Sequence, residues 1–404
     1  MKCRFCQTKL EDVFLDLINA PASNSYLTKE QLDTPEVFYP CKVYVCQKCK
    51  LVQMDEYKKS DEIFDNNYAY FSSYSTSWLS HSKKYVDMII NRLSLSEDAL
   101  VTEIASNDGY LLQYFKEKGI PCVGIEPTSS TASVAKSKGI KVIEEFFTAD
   151  LAKKIKKSDL ILGNNVLAHV PEINDFVQGL KIALSARGTI TMEFPHLLNI
   201  IKENQFDTIY HEHFSYLSFY TVKQIFEKHG LKLYDVEKLS THGGSLRIYA
   251  THKENNKIVI QENLEELLIE EKGFGLLEMD IYKTFQAKAN RVKYELLEFL
   301  LKVKKEKKTL VAYGAAAKGN TLLNYAGVKN DLIEFVVDKS PHKQGMFLPA
   351  SHIPIVNEEE IMKLQPDYIL IFPWNIKEEI MKQLSYTQQW NCKFVVGVPH
   401  LEIF

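Results

Sequence analysis

Apolar and polar positions along the chain change rhythm several times. The first sixty-odd residues mix aromatic and β-branched residues with turn formers, which predicts short strands. A Tyr/Ser-dense connector, NNYAYFSSYSTSW (66–78), then leads into an amphipathic helix near 80–92. Beyond it, compact apolar runs alternate with helical periods. ALVTEIASNDGYLLQYF reads as a strand, a polar-Gly turn and a helix; PCVGIEP is a second strand, with a helix near 130–138 behind it; DLILGNNVLAHV and GTITMEFP are two more strands. Strands alternating with helices at this spacing predict a parallel, doubly wound sheet. From about 255 to 308 the chain is rich in Glu, Lys and Leu, with helical periodicity and almost no Gly or Pro. No heptad persists there, so one or two long bridging helices are expected rather than a coiled coil. The α/β rhythm returns in TLVAYG, AAAKGNTLLNYAG, LIEFVVD, DYILIFPW and CKFVVGVP. The expected organisation is an N-terminal lobe (1–65), a doubly wound α/β domain (66–255), a helical linker (256–307) and a smaller Rossmann-like α/β domain (308–404).

Composition narrows the class. At 404 residues, 45% hydrophobic and 25% charged, the chain has material for two or three domains with buried cores. Lys and Arg number 49 against 52 Asp and Glu, a net charge of −3, and there is no basic block that would suggest nucleic acid. No apolar run approaches the ~20 residues of a membrane helix, and Cys6 already belongs to folded structure, so neither a membrane span nor a signal peptide is expected. Seven cysteines leave Cys41, Cys122 and Cys392 outside any pairing pattern, which fits a reducing cytoplasm. The other four form two Cys-x-x-Cys pairs, Cys3/Cys6 and Cys46/Cys49. Two such turns complete a tetrahedral thiolate cage for Zn²⁺, with no open position, so the metal is expected to be structural. The competing reading is a redox or disulfide pair, but VYVCQKCKLVQ reads as a zinc knuckle rather than a strand opening into a thioredoxin-type helix.

Candidate chemistry gathers at the strand ends. The turn Glu103-Ile-Ala105-Ser106-Asn107-Asp108-Gly109 lacks the G-x-G-x-x-G fingerprint of dinucleotide sites. Its carboxylates would repel a pyrophosphate but suit an ammonium or sulfonium, and Glu126, before Pro127, is placed to bind ribose hydroxyls. These features favour S-adenosylmethionine over NAD; the bland reading is an α/β turn with a solvated Glu. Asn164 and Asn165 stand at a further strand end, where they suit the amino-acid portion of a cofactor. Tyr210-His211-Glu212-His213 packs four titratable groups into four residues. A metal site there would need His211 and His213 on one strand face. Proton transfer would need an imidazole, a carboxylate to orient it and a phenol, and a polar turn with satisfied histidines is the third reading. Thr241-His242-Gly243-Gly244-Ser245 is a substrate loop or a plain hairpin turn. Gly314, Lys318 and Asn320 open a helix whose N-terminus and Lys suit a sugar-nucleotide pyrophosphate.

Taken in order, the Cys pairs, EIASNDGYLL, GIEPT, NNVLAHVPE, YHEHFSYLS, THGGSLR and AYGAAAKGNTLLN resemble the zinc-containing sugar C-methyltransferases, which methylate C-3′ of 4-keto deoxysugars carried on a nucleoside diphosphate. The resemblance runs the full length of the chain. It implies an α/β fold with an N-terminal zinc-binding lobe, a class I methyltransferase doubly wound sheet and a C-terminal Rossmann-like substrate-binding domain. It implies zinc on Cys3, Cys6, Cys46 and Cys49, S-adenosylmethionine on the EIASNDG turn and Glu126, and His213 as base. Tyr210 would be its close partner and Glu212 its orienter or a hydrogen-bond acceptor. His169 and a connector tyrosine, Tyr70 or Tyr68, would line the sugar pocket and supply the donor near an enolate oxygen. One departure stands at Ala105, where such enzymes often carry Gly; the extra methyl is tolerated if the backbone there is in a β conformation. Rival readings are another activated ketosugar such as a heptose, a zinc-stabilised sugar-nucleotide binding protein without catalysis, and a two-domain oxidoreductase. A monomer or small homo-oligomer fits the charged helices.

Overall fold

In the computed structural model, which describes residues 1–63 and 71–404, the chain is built on three β-sheets. The middle sheet has seven strands in the spatial order Leu231–Leu239, Ser245–His252, Leu184–Pro195, Ser158–Asn164, Val101–Ile104, Cys122–Ile125, Lys141–Ile143. The neighbours from Leu184–Pro195 to Lys141–Ile143 run parallel, and Ser245–His252 inserts antiparallel to both of its neighbours. This is the doubly wound sheet that the sequence resemblance implied, with one antiparallel strand inserted near its edge. The inner strand Val101–Ile104 is buried along its whole length although Thr102 and Glu103 interrupt its apolar residues, so the polar side chains it carries lie inside the fold. The strand order reverses between Val101–Ile104 and Ser158–Asn164, so the carboxyl ends of these strands open a crevice where ligands of such sheets bind.

The helix expected near 80–92 spans Thr76–Leu93, with the Ser75 side chain accepting from the Trp78 N–H as its N-cap. The expected bridging helices are Asn263–Phe274, ending at Gly275 in a left-handed conformation, and Phe285–Lys305, with a short turn of helix at Asp280–Lys283 between them. The C-terminal sheet has six strands, with Leu310–Tyr313 between Val336–Val337 and Tyr368–Ile371, all parallel except the last, Glu402–Ile403.

The N-terminal sheet holds a feature that the chain order conceals. Asp12–Ala20, Tyr39–Val45 and Val52–Met54 form an antiparallel meander, and its fourth strand is Ser215–Tyr216, from the YHEHFSYLS segment. Val52 pairs with Tyr216 and Gln53 with Ser215, and the Met54 N–H donates to the Phe214 carbonyl at 3.0 Å. The N-terminal lobe therefore extends by backbone pairing into the centre of the molecule. A second excursion, from Ser23 to Glu36, lies against the C-terminal domain: Leu27 bridges to Phe347, and the Tyr26 hydroxyl donates to the Ala315 carbonyl at 2.6 Å.

Candidate active site and zinc site

The two knuckles are built alike. In each, the N–H of the residue after the second cysteine donates to the carbonyl of the first: Gln7 to Cys3 and Lys50 to Cys46, both at 2.9 Å. That residue is left-handed in both turns, with φ 63° at Gln7 and 61° at Lys50. The four sulfurs lie within 4.8 Å of one another. A zinc ion ~2.3 Å from each would hold them about 3.8 Å apart, so the cage fits. Gln53 Nε2 donates to Cys3 Sγ at 3.2 Å, the kind of outer hydrogen bond that steadies a metal-bound thiolate. Gln53 is also the residue paired with Ser215, so one residue joins the cage, through its side chain, to the strand behind His213, through its backbone.

At the carboxyl edge of the middle sheet the turn after Val101–Ile104 folds tightly. Ala105 and Asn107 are both left-handed, with φ 57° and 48°. The β conformation expected at Ala105 is thus not adopted; its methyl is accommodated in a region that favours Gly. Gly109 has φ 75°, and a Cβ there would meet Ile140 Cδ1 at 2.4 Å, so the turn packs directly on its neighbours. Glu126 accepts from the Asn107 and Thr128 N–H groups at 2.9 and 3.0 Å, and a carboxylate with about four lone-pair positions keeps room for a ribose diol. Half-buried Pro127 forms the adjacent rim. Ser106 is buried, and its Oγ, like Asp108 Oδ1, has no donor among the described residues. Among the described residues neither oxygen of Glu103 has a well-formed hydrogen bond, although the Tyr110 hydroxyl lies beside it; burial drives this carboxyl well up, and Asp108 and Glu126 push it further. Three acids gathered around unmet acceptors suit a cationic ligand, and the sulfonium and ammonium of S-adenosylmethionine meet that requirement.

The histidines converge from separate segments. His169, on a single turn after Ser158–Asn164, stands edge-on to His213 with ring centroids 4.6 Å apart, and Tyr210 lies 4.1 Å from His213 on another side. All three are half-buried. His213 Nδ1 donates to the Thr208 carbonyl at 2.8 Å, and the Nε2 lone pair has no partner among the described residues. Burial, His169, Lys318 and His242 together hold His213 well below the ordinary histidine range, so the ring is neutral. Burial lowers His169 to about 4, and its ring hydrogen-bonds the Glu212 backbone.

Glu212 does not orient the imidazole. Its carboxylate turns away and accepts from Asn24 Nδ2 at 2.7 and 2.9 Å, and burial pushes it up to about 7. The Thr208 carbonyl does the orienting instead. His211 is buried, with its Nε2 at 3.2 Å from the Pro40 carbonyl, and residues 210–213 form a turn rather than a strand, so the two histidines do not share a metal-binding face.

Lys318 opens the helix Ala317–Ala326 and is half-buried. Its Nζ stands 3.2 Å from Asn375 Oδ1 and 4.4 Å from the centre of the Trp374 ring. Burial lowers it, and Asp207 partly restores it. Asp207 accepts from Trp374 Nε1 at 2.7 Å and is raised by burial to about 6. Asn320 is fully buried and donates to the Ser23 carbonyl at 2.6 Å, so it ties the N-terminal excursion to this helix instead of facing His213. Gly314, φ 88°, packs on Pro373. In the Thr241–Gly244 turn, a Cβ on Gly243 would meet Trp374 at 2.5 Å and one on Gly244 would meet Asn199 at 2.2 Å. Ser245 is buried and donates to the Thr241 carbonyl. Asn164 lies 3.4 Å from the Tyr110 hydroxyl, and Asn165 bonds His242. Tyr68 and Tyr70 lie outside the described residues.

Sequence reading missed Asp207, Trp374 and Gln205. Only Asp207 carried a signal, standing in the same titratable cluster three residues before Tyr210.

The chain's likenesses follow the same three-part division. A zinc-binding domain model matches residues 3–64, a methyltransferase domain model 78–236, and a C-methyltransferase C-terminal domain model 240–399. Over 405 residues the chain is 33% identical to the C-methyltransferase NovU of Streptomyces niveus, covering 98% of this chain and 95% of that protein. Among solved structures, the PH0226 protein of Pyrococcus horikoshii OT3 is 14% identical, with 46% of this chain and 95% of that one covered and a TM-score of 0.38. Magnesium protoporphyrin IX methyltransferase (ChlM) from Synechocystis PCC 6803, with bound SAM, is 15% identical over 44% of this chain and 81% of that one, at a TM-score of 0.34.

Proposed function

The chain belongs to the zinc-containing, S-adenosylmethionine-dependent C-methyltransferases, and from that premise we propose that it methylates a carbon beside a ketone, C-3′ of a 4-keto deoxysugar carried on a nucleoside diphosphate. A sugar C–H is not acidic unless a neighbouring carbonyl can take up the charge, so carbon methylation requires a base and a ketone together. The observation that carries this reading is His213. Its Nδ1 proton is committed to Thr208, its Nε2 has no partner among the described residues, and burial, with Lys318 nearby, keeps it neutral and able to accept a proton.

In this scheme His213 Nε2 removes the C-3′ proton while Tyr210 and His169 hold the imidazole from two sides. Positive charge then builds beside Lys318. A diphosphate on Lys318 and the first turn of Ala317–Ala326 would offset it, and the Trp374–Asp207 pair fixes the wall behind that lysine. Glu103, Glu126, Asn164 and Asn165 would hold S-adenosylmethionine, which supplies an electrophilic methyl when bound. The four-cysteine zinc cage takes no part in the chemistry.

The test is a panel of nucleoside-diphosphate 4-keto-6-deoxysugars and other activated ketosugars, incubated with S-adenosylmethionine and read by product mass. Methylation of a 4-ketosugar is expected. His213→Asn should lower turnover by ~10² or more while leaving S-adenosylhomocysteine binding intact, as loss of a general base does. Full turnover in that variant would remove His213 from the role.

A further inference from the structure

Deprotonation beside a ketone needs a second group, a donor to the oxygen that takes up the electron pair. Neither histidine of the base cluster can be that donor. A neutral imidazole has one N–H. In His213 it goes to the Thr208 carbonyl, and in His169 it goes to the Glu212 backbone.

We propose that His242 is a catalytic residue that donates a hydrogen bond to the substrate's carbonyl oxygen as the enolate forms; this rests on the ketosugar reading above. Asn165 Nδ2 lies 3.0 Å from His242 Nε2. An amide nitrogen can only donate, so that ring nitrogen is the acceptor and the proton sits on Nδ1. No described residue accepts from Nδ1, and the side chain is half-buried, open to a ligand. Burial holds the ring down at about 4, with Lys318 adding to the effect, so at neutral pH it is an uncharged donor. Neutral imidazole suits an enolate oxygen, because it stabilises developing charge without protonating the product.

The placement is built, not incidental. His242 is left-handed, φ 52°, a conformation that persists in a non-glycine residue only when its surroundings impose it. Thr241 Oγ1 donates to Glu193 at 2.8 Å, and Glu193 is itself held by His81 and Arg247 at 2.9 and 2.7 Å. The Trp78 ring meets His242 edge-on at 5.1 Å. Gln205 Nε2 donates to the Gly243 carbonyl at 2.7 Å, while the Gln205 carbonyl accepts from Thr208, the residue that orients His213. The donor turn and the base are thus fixed to each other through Gln205. Asn165, on the other side, ties His242 to the strand end where the cofactor is held. His242 therefore stands between the two ligands.

The step balances without a co-reactant. The C-3′–H bond breaks, its proton passes to His213 Nε2, its electron pair moves through carbon to the carbonyl oxygen, and His242 lends a hydrogen bond without giving up its proton.

The test isolates that step. Exchange of the C-3′ hydrogen with D₂O is followed by mass in the presence of S-adenosylhomocysteine, which blocks methyl transfer, on whichever ketosugar the wild type methylates. His242→Phe keeps the ring against Trp78 and removes the donor; it should slow exchange by ~10²-fold or more, as loss of an oxyanion donor does, with S-adenosylhomocysteine affinity within about twofold. His242→Gln, which keeps an N–H, should recover about tenfold of that loss. Should His242→Phe not fold, His242→Ala with added imidazole replaces it, and imidazole should accelerate exchange. Exchange in His242→Phe within about twofold of wild type, or no response of His242→Ala to imidazole, would overturn the assignment and leave the ketosugar reading standing. A wild type that neither methylates nor exchanges any ketosugar would remove both.

Discussion

Ala105 shows how one methyl group can work against a site. At φ 57° its Cβ crowds the following carbonyl, a strain of ~1–2 kcal/mol that Gly does not carry. Ala105→Gly should therefore stabilise the ligand-free protein by about 1 kcal/mol, partly offset by the greater freedom of Gly in the unfolded chain, and urea denaturation would measure it. No gain at all would mean that the turn relaxes elsewhere. Glu212 gives a second prediction with a definite sign. Its carboxyl rises from 4.5 to about 7 because it is buried, so the folded state resists ionisation. Below 4.5 the residue is protonated in both states and there is no penalty; the penalty grows through that window and is complete above about 7. Glu212→Gln should thus match wild type near pH 4 and gain on it as pH rises, by on the order of 3 kcal/mol at pH 8. Equal pH profiles for the two proteins would refute the buried titration. At this scale the four cysteines were legible from their spacing, and the density of titratable groups at 210–213 singled out the residues that meet His169. Thr208, Asn24 and Gln205 were not. They act through a backbone carbonyl or ordinary amides, which carry no compositional signal and find their partners only once distant segments meet.

Elements tell a similar story about the zinc lobe. Aromatic and β-branched residues announce strands in the first sixty residues, where Asp12–Ala20 and Tyr39–Val45 form, and the alternating α/β rhythm announces the two wound sheets. A two-residue strand such as Ser215–Tyr216 has no period to read, so its pairing with Val52–Met54 was invisible, and with it the link between knuckles and active site. That link makes the metal matter at a distance. Cys49 and Leu51 lead directly into Val52–Met54, and Gln53 bonds Cys3 Sγ while its neighbour Met54 holds Phe214, the residue after His213. Removing zinc unbinds the knuckles, and the strand they anchor should release the Phe214–Tyr216 backbone. Hydrogen exchange after chelation should show lost protection at the Met54 amide, which donates to the Phe214 carbonyl, together with lost methyl transfer. Protection unchanged at the Met54 amide in the metal-free protein would sever the cage from the site.

Across the whole molecule the expected partition into four consecutive segments describes the sheets better than it describes the cores. One apolar cluster takes Phe14, Leu15 and Val43 from the zinc lobe, Leu197, Ile201 and Phe206 from the methyltransferase sheet's flank, Phe285, Val292 and Leu296 from the long helix, and Leu310, Leu323 and Leu370 from the C-terminal domain. Phe14 and Phe285 stack at 4.7 Å, and Asn320, Tyr26 and Leu27 add hydrogen bonds from the N-terminal excursion to the C-terminal domain. Glu271, fully buried on the first linker helix, binds His196 at 2.7 Å and caps the helix Phe219–Lys228 through the Phe219 and Tyr220 N–H groups. Contacts of this kind make each part's core depend on the others, because apolar area buried between segments returns to water if any one leaves. The chain should therefore unfold as a single cooperative unit. In a urea titration, zinc release reports the first lobe, while fluorescence reports Trp78 in the middle domain and Trp374 and Trp390 in the last. The two transitions should share one midpoint, and a chain ended after Lys307 should aggregate, having lost the partners of Phe299, Leu300 and Val303. Separate midpoints, or a soluble, zinc-loaded truncated chain, would mean that the segments fold alone and that the shared core contributes little to holding His213, His242 and Lys318 in the places proposed for them.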